Sequence, residues 1–185
     1  MVDDDEDEDV TVQRMLHGDE DAFRTVYRGI HPGLLRYLTV MVGATDAEDV
    51  AAETWAQAVR DLGSFTGTAD RFRGWVTTIA RNRALDLLRT RGRRPIDDTP
   101  VEEIMIGHAD RLDVAEEALG LVSTSAALRL IASLPPDQAE AVLLRAVMGL
   151  DAKSAGRVLG KRPGAVRTAA YRGLKSLQKK VTTEE

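Results

Sequence analysis

The chain contains no cysteine, few aromatic residues and no apolar run long enough to cross a membrane. The lack of cysteine excludes disulfides and thiolate metal sites. Three histidines are scattered through 185 residues, which argues against a zinc site. The N-terminus is acidic rather than basic and then apolar, so no secretory signal is expected. We therefore predict a cytoplasmic protein with no membrane insertion, no bound metal and no cofactor.

Charge is abundant instead, and its sign changes along the sequence. The formal net charge is −5, yet residues 1–10 carry −7, residues 11–95 carry +3, residues 96–127 carry −7 and residues 128–185 carry +6. Two basic modules thus alternate with two acidic segments. A charge pattern of this kind concerns the partners of a protein rather than its fold, and it indicates separate basic surfaces for nucleic acid.

No stretch shows the alternation of a β-strand, whereas helical spacing of apolar residues recurs along both basic modules. We predict an all-α chain of two small helical bundles joined by an acidic linker, with a helix-turn-helix in the second bundle. A break in the first bundle is expected at Pro32-Gly33. The predicted boundaries are a disordered acidic tail at 1–10, a helical domain at 11–95, the linker at 96–125 and the helix-turn-helix domain at 126–185.

The segment from Leu150 to Val181 organises the second bundle. Asp151 is placed to cap a first helix, and Gly160 is placed to end it. A short turn with Pro163 and Gly164 follows, before a second helix begins. Helix, tight turn and helix in this order predict a helix-turn-helix that fits a DNA major groove.

The second helix of this segment is predicted to have an apolar and a basic face. Leu174 is assigned to the apolar face by its spacing. After Asp151 the only acids are the terminal Glu184 and Glu185, so the charge is of one sign; a merely solvated basic face is the simpler alternative. The turn and outward-facing residues expected to contact duplex DNA are Lys161, Arg162, Arg167, Thr168, Tyr171, Arg172 and Lys175.

The first bundle contains two further signals. Thr45 and Glu48 form a capping-box pattern, and the helix that follows presents acids at helical spacing. These acids either complement the helix dipole or form a docking ridge for a basic partner. The acidic tail likewise has two interpretations, a solubilising tail or a segment that folds over a basic surface and competes with nucleic acid.

A Gly/Thr-rich loop at 63–70 leads into a basic helix that stops before Pro95. Phe72 and Trp75 keep helical spacing and are assigned mainly to the core, with base stacking as the alternative. Aromatic residues beside a loop and a basic helix suit a site that binds exposed bases and phosphates. The polar face of this helix comprises Asn82, Asp86, Arg89 and Arg93.

These pieces resemble an extracytoplasmic-function (ECF) sigma factor, a minimal two-domain form of the primary sigma family of bacterial RNA polymerase. Their order and spacing cover nearly all of residues 15–95 and 126–178. The matching stretches are GDEDAFRTVY, DAEDVAAETW, FRGWVTTIARNRALDLLR, LPPDQAEAVLLRAVMGL and GRVLGKRPGAVRTAAYRGLKSL.

The resemblance implies that the protein binds core RNA polymerase and promoter DNA. The helix-turn-helix would read the upstream, minus thirty-five element as duplex, and the acidic linker would run towards the RNA exit path. An anti-sigma factor is implied as a further partner. The residues implied to bind polymerase are Asp46, Glu48, Asp49 and Glu53.

The resemblance also implies capture of the melted non-template strand of the downstream, minus ten element, with one base turned out of the stack. The loop at 64–71 and the helix after it would form this site. The residues implied to contact the strand are Ser64, Phe65, Arg71, Arg73, Asn82, Asp86, Arg89 and Arg93.

The predicted function is promoter-specific transcription initiation as a polymerase subunit, without catalysis. The alternative is a conventional helix-turn-helix regulator that acts without being a polymerase subunit, with residues 11–95 as a sensing or dimerising domain. No Ser/His/Asp set, metal-ligand spacing or phosphate-binding loop supports an enzyme.

Overall fold

Helices form every regular element of the described chain, and the all-α prediction is confirmed there. The structure is a computed structural model; it describes the backbone of residues 2–92 and 122–183 and the side chains of residues 6–92 and 124–180. No described helix is both long and apolar enough to cross a membrane. The helices are α1 Val2–Leu16, α2 Glu20–Val42, α3 Ala44–Asp61, α4 Ala69–Arg91, α5 Val122–Ala132, α6 Pro136–Val142, α7 Ala152–Leu159 and α8 Pro163–Thr183.

Helix α2 is the central element of the N-terminal half and packs against α1, α3 and α4. As predicted, Asp19 caps it, because its carboxylate accepts hydrogen bonds from two backbone amides of the first turn. The expected break at Pro32-Gly33 is wrong, since the helix continues through Pro32. Pro32 is exposed while Ile30 and Leu34 beside it are buried, so packing holds the helix together and water can reach the freed carbonyl.

The N-terminal segment is helical, since α1 begins at Val2. The prediction of disorder at 1–10 is therefore wrong for the described residues. Acids in the first turns of a helix are stabilised by its dipole. Val12 and Met15 are each 2% exposed and anchor the helix. The Asp9 carboxylate also accepts a hydrogen bond from the Ala69 amide at 2.6 Å, so α1 is attached to the start of α4.

Helix α3 begins one residue before the predicted cap. Gly43, with a φ of 88°, separates α2 from α3, and no side chain caps α3. Thr45 is therefore inside the first turn, and the capping-box prediction is wrong. The glycine is required here because the backbone turns sharply in the left-handed region.

The C-terminal half contains the helix-turn-helix. Helix α6 passes directly into a π-helical turn at Leu143–Val147, and α7 and α8 follow. Asp151 caps α7 by accepting a hydrogen bond from the Ser154 amide at 2.6 Å, and Gly160 ends α7 with a φ of 64°. Both predictions are confirmed. Leu174 was assigned to the wrong face, since it is 51% exposed.

The two bundles are in contact and share one hydrophobic core. Helix α4 packs against α7, and α2 packs against α5 and the π-helical turn. Leu34 and Tyr37 from the first bundle and Leu143 and Leu150 from the second are fully buried in one continuous cluster. The predicted linker lies outside the described residues, except that α5 begins at Val122, within its range.

Candidate nucleic-acid interface

The outer face of α8 presents the residues that were predicted to contact duplex DNA. Arg167, Tyr171 and Lys175 are exposed and follow one another by one turn each. Tyr171 is 65% exposed, which is a high exposure for a large aromatic side chain. Beside them, Thr168 and Arg172 are also exposed. The face therefore combines guanidinium and ammonium charge with groups that donate hydrogen bonds to base edges.

Close packing of small residues positions this face. A Cβ at Gly156 of α7 would lie 2.6 Å from the Lys161 carbonyl oxygen, so only glycine allows the turn to pass this close. Gly173 of α8 likewise approaches Val142, since a Cβ there would lie 2.7 Å from its side chain. The Ser154 amide lowers the pKa of Asp151 below its ordinary value, so this cap is ionised at neutral pH. Helix α8 is thus packed closely against α6 and α7.

The two turn residues differ in what they can reach. Arg162 is exposed, whereas the Lys161 ammonium donates to the Asp137 carboxylate at 2.5 Å. Lys161 therefore belongs partly to the contact between the turn and α6. Arg162 is the turn residue whose charge points to solvent.

A cleft of about 310 Å³ lies beside the loop that precedes α4. Ser64 and Arg71 line it together with aromatic side chains. Phe65 is anchored rather than free: its ring centroid lies 5.1 Å from that of Phe72 and 5.2 Å from that of Trp75. Phe72 is buried, as predicted, while Trp75 is partly exposed and forms part of the cleft wall.

The cleft continues into a polar face on α4. Arg71, Trp75 and Thr78 line the cleft, and the next residues at helical spacing are exposed. The loop and helix therefore form one continuous surface. Its distal part consists of Asn82, Asp86 and Arg89, with Arg89 donating to Asp86 at 3.1 Å.

One predicted strand contact within the described residues is not part of this surface. Arg73 lies on the opposite side of α4, is 24% exposed and donates to the Glu8 carboxylate of α1 at 2.8 Å. An acid from the N-terminal segment thus pairs with a predicted DNA-binding arginine. Arg93 lies outside the described residues.

The four acids of α3 that were predicted to bind polymerase fall into two pairs. Asp46 is half-buried and paired with Arg91 of α4, and Glu53 accepts from Arg83 at 2.6 Å. Pairing with Asp46 raises the pKa of the Arg91 guanidinium. Glu48 and Asp49 are exposed and form no ion pair with a described residue. The exposed apolar Val59 shares this helix, so the outer face of α3 is both acidic and apolar.

A buried polar cluster between the bundles was not predicted. Arg81 donates to both carboxylate oxygens of Glu140, at 2.5 and 3.2 Å, and Tyr37 donates to the same carboxylate at 3.1 Å. Burial, reinforced by the Glu140 charge, raises the pKa of Tyr37 well above its ordinary value, so the phenol keeps its proton. The sequence offers one signal, an acid inside an apolar run, but does not indicate its partners. Among the described residues, no group of side chains could hold a metal ion.

Family models match both bundles. Sigma-70 region 2 matches residues 26–94, and Sigma-70 region 4 matches residues 124–177. The two matches thus define a two-domain protein of the sigma-70 class. The two matched regions correspond to the bundle with the cleft and to the bundle with the helix-turn-helix.

Two curated relatives narrow the class. The ECF RNA polymerase sigma factor BldN of Streptomyces coelicolor is 34% identical over 167 residues, which cover 90% of this chain and 62% of BldN. The ECF RNA polymerase sigma factor ShbA of Streptomyces griseus is 33% identical over 174 residues, which cover 90% of this chain and 91% of ShbA. The chain belongs to the ECF RNA polymerase sigma factors. The term "primary sigma family" was therefore inexact.

Solved structures share the fold. CnrH in complex with the cytosolic domain of CnrY has a TM-score of 0.64 at 23% identity, covering 96% of this chain and 99% of that one. The sigma factor RpoE of Bartonella quintana, in complex with the anti-sigma factor NepR, has a TM-score of 0.63 at 20% identity, covering 88% and 98%. At these identities the likeness concerns the fold alone.

Proposed function

We propose that this protein initiates promoter-specific transcription by reading an upstream element as duplex through α8 and a downstream element as a melted strand through the cleft and α4. The observation that carries the proposal is the pairing of two different surfaces in one chain. An exposed helix face suits a major groove, and a cleft with an aromatic wall suits an unstacked base.

Duplex reading by α8 rests on directional hydrogen bonds. Arg167 and Arg172 are exposed and can each donate two hydrogen bonds to a guanine edge. Each such contact is worth about 1–3 kcal/mol of discrimination. Lys175 and Arg162 flank them and would bind phosphates, which fix register without reading sequence.

Strand capture at the cleft has a different energetic basis. Turning a base out of the stack costs a few kcal/mol, which the cleft offsets by contact with Phe65 and Trp75 and by polar groups of Ser64 and Arg71. The face formed by Asn82, Asp86 and Arg89 then continues along the strand. Arg73 is proposed as a strand contact only after its pairing with Glu8 is released, and Arg93 is proposed by sequence alone.

Core RNA polymerase is the proposed partner of α3. Glu48 and Asp49 offer unpaired negative charge, and Val59 adds apolar area, which is the composition of a protein-docking surface. Asp46 and Glu53 are proposed to support this surface while also tying α3 to α4. An anti-sigma factor is proposed as a second partner, because relatives of this fold are solved with one. A cytoplasmic location and a role without catalysis are proposed as well, because both follow from acting as a polymerase subunit.

The test is in vitro transcription with core RNA polymerase, a library of promoter sequences and this protein as the sole initiation factor. Specific starts with enriched upstream and downstream motifs are expected. Arg167→Ala should relax the upstream motif, whereas Arg28→Ala, which removes an exposed arginine of α2, should leave it unchanged. Asp49→Lys should abolish polymerase binding, and Glu20→Lys is the matched charge reversal elsewhere.

Absence of specific starts, together with sequence-specific duplex binding by the protein alone, would favour the conventional regulator. That alternative assigned residues 11–95 to a sensing or dimerising domain. The match of residues 26–94 to Sigma-70 region 2 supports the polymerase subunit instead.

A further inference from the structure

Helix α1 is hydrogen-bonded to the loop that precedes α4. The side-chain amide of Gln13, on α1, donates to the Gly67 carbonyl oxygen at 3.0 Å. One turn earlier on the same face of α1, the Asp9 carboxylate accepts from the backbone amide of Ala69, the first residue of α4. Helix α1 is therefore bonded both to the loop and to the start of the helix that follows it.

The middle of this loop has few hydrogen bonds of its own. Backbone hydrogen bonds fix Phe65 before it and Thr68 after it. Within the part of the chain that the structure describes, the bond from Gln13 is the one hydrogen bond that involves Thr66 or Gly67. Segments with few bonds open locally at a small cost in free energy. The position of the loop at Gly67 therefore depends on α1.

Gly67 in turn packs against a side chain of the cleft. Its φ of 147° lies in a region that favours glycine, and a Cβ there would lie 3.0 Å from the Cδ atom of Arg71. Arg71 lines the cleft together with Phe65 and Thr66. Because the Arg71 side chain is in contact with the Gly67 backbone, displacing Gly67 also displaces a wall of the cleft.

Helix α1 can hold the loop because it is itself anchored. Val12 and Met15 on its inner face are buried in the core of the first bundle. Gln13 is exposed, so its side chain contributes little to that core. Replacing Gln13 should therefore remove the bond to the loop while α1 stays in place.

We propose that Gln13 and Asp9 are positioning residues for the strand cleft. Through them, α1 sets where Gly67 and Arg71 lie, and thereby how strictly the cleft selects the base that is turned out of the downstream element. Both residues act through the loop and not by touching DNA, and they preorganise the cleft before the strand arrives. This inference rests on the proposed function, because it concerns the selectivity of the cleft for the captured base.

Two variants of Gln13 separate the hydrogen bond from the rest of the side chain. Gln13→Met removes the donor and keeps an unbranched side chain with a similar helix propensity, whereas Gln13→Lys retains a donor. Each is assayed by transcription with core polymerase on the promoter library, and the readout is the preference among bases at the captured position. Gln13→Met should lower this preference about fivefold, a typical effect of losing one hydrogen bond. Gln13→Lys should keep most of it.

This readout distinguishes positioning from a loss of stability. The preference is a ratio between promoters measured in one sample, so a smaller folded fraction leaves it unchanged. Enrichment of the upstream motif should also stay unchanged in Gln13→Met, because duplex reading uses α8. His17→Met is the matched control, since His17 is an exposed polar residue one turn further along α1 whose ring contacts the α1 backbone.

Three results would decide against one or other proposal. An unchanged downstream preference in Gln13→Met overturns the inference, and so does an equal loss in His17→Met. A wild-type chain that never initiates overturns the proposed function instead.

Asp9 gives a second test, in which charge and hydrogen bonding are separated. Asp9→Asn keeps an acceptor for the Ala69 amide and removes the charge, whereas Asp9→Ala removes both. If the bond positions the start of α4, Asp9→Asn should resemble the wild type in downstream preference, and Asp9→Ala should lose about fivefold. Equal losses in both variants would show an effect of charge alone and would overturn the positioning role of Asp9.

Discussion

The Arg81–Glu140 pair gives a prediction whose sign is unusual: a second mutation should restore stability that the first one removes. Arg81→Met leaves the Glu140 carboxylate, 94% of which is shielded from water, with Tyr37 as its remaining donor. Removing one partner of a buried pair costs about 3–5 kcal/mol, mostly because a charge is left buried without its partner. Adding Glu140→Gln removes that charge while Tyr37 keeps its acceptor. The double variant should therefore be more stable than Arg81→Met by about 2 kcal/mol.

Urea unfolding measures this, because urea does not screen charges. Both tryptophans, Trp55 and Trp75, lie in the first bundle, so fluorescence reports that bundle, while circular dichroism reports helices of both. In the wild type the two transitions should coincide, since docking couples the bundles. In Arg81→Met they should separate. A double variant that is less stable than Arg81→Met would refute the reasoning. Fluorescence and circular dichroism transitions that coincide in Arg81→Met as they do in the wild type would refute it too.

Three further predictions concern single positions. Asp151→Ala should lower the free energy of unfolding by about 1 kcal/mol through loss of the α7 cap. Because folding lowers the pKa of the Asp151 carboxyl, the wild type should exceed the variant in stability by the full amount above about pH 4. In thermal melts at pH values below the folded-state pKa, this difference in stability should vanish. Gly156→Ala should lower the free energy of unfolding by about 3 kcal/mol, because the added methyl group overpacks the turn. Gly160→Ala has open space but a left-handed backbone, and it should lower the free energy of unfolding by about 1 kcal/mol. Equal losses in urea titrations would contradict the argument from close approach. Asp46→Asn should reduce stability by up to about 1 kcal/mol and leave the affinity for polymerase little changed. Asp49→Asn should leave stability little changed and reduce the affinity for polymerase. Thermal melts measure the first quantity, and pull-downs with core polymerase measure the second.

Features set by near neighbours in the sequence were predictable. Asp19 and Asp151 cap their helices by accepting from amides two or three residues on, and Gly160 ends α7 by its own backbone conformation. Each of these depends on residues within one turn, so the sequence pattern contains the whole cause. The outward face of α8 follows from the same local periodicity, although Leu174 shows that periodicity alone misplaces a residue at the edge of an apolar stripe.

Features set by distant contacts were not predictable. Glu140 meets Tyr37 and Arg81 across 103 and 59 residues, and no local pattern links them. The helix through Pro32 is likewise maintained by packing around Ile30 and Leu34. Residues 2–10 were expected to repel one another, but Glu8 and Asp9 find partners on α4. In each case tertiary contacts outweigh a local preference that was assessed correctly by itself.

Most arginines of α4 are already paired with acids from elsewhere in the chain, and this determines how each half of the protein responds to salt. Every phosphate neutralised on a single strand contributes about −0.7 to the slope of log affinity against log salt, by releasing condensed counterions. A helix whose cations are already balanced releases few of them, so strand capture should depend mainly on shape and stacking. Within the part of the chain that the structure describes, no acid pairs with the cations on the outer face of α8, so the proposed duplex contact should depend on salt more steeply than the proposed strand capture. The balanced arginines of α4 are Arg73, Arg81, Arg83, Arg89 and Arg91, and the exposed cations of the second half without an ion pair to a described residue include Arg162, Arg167, Arg172 and Lys175.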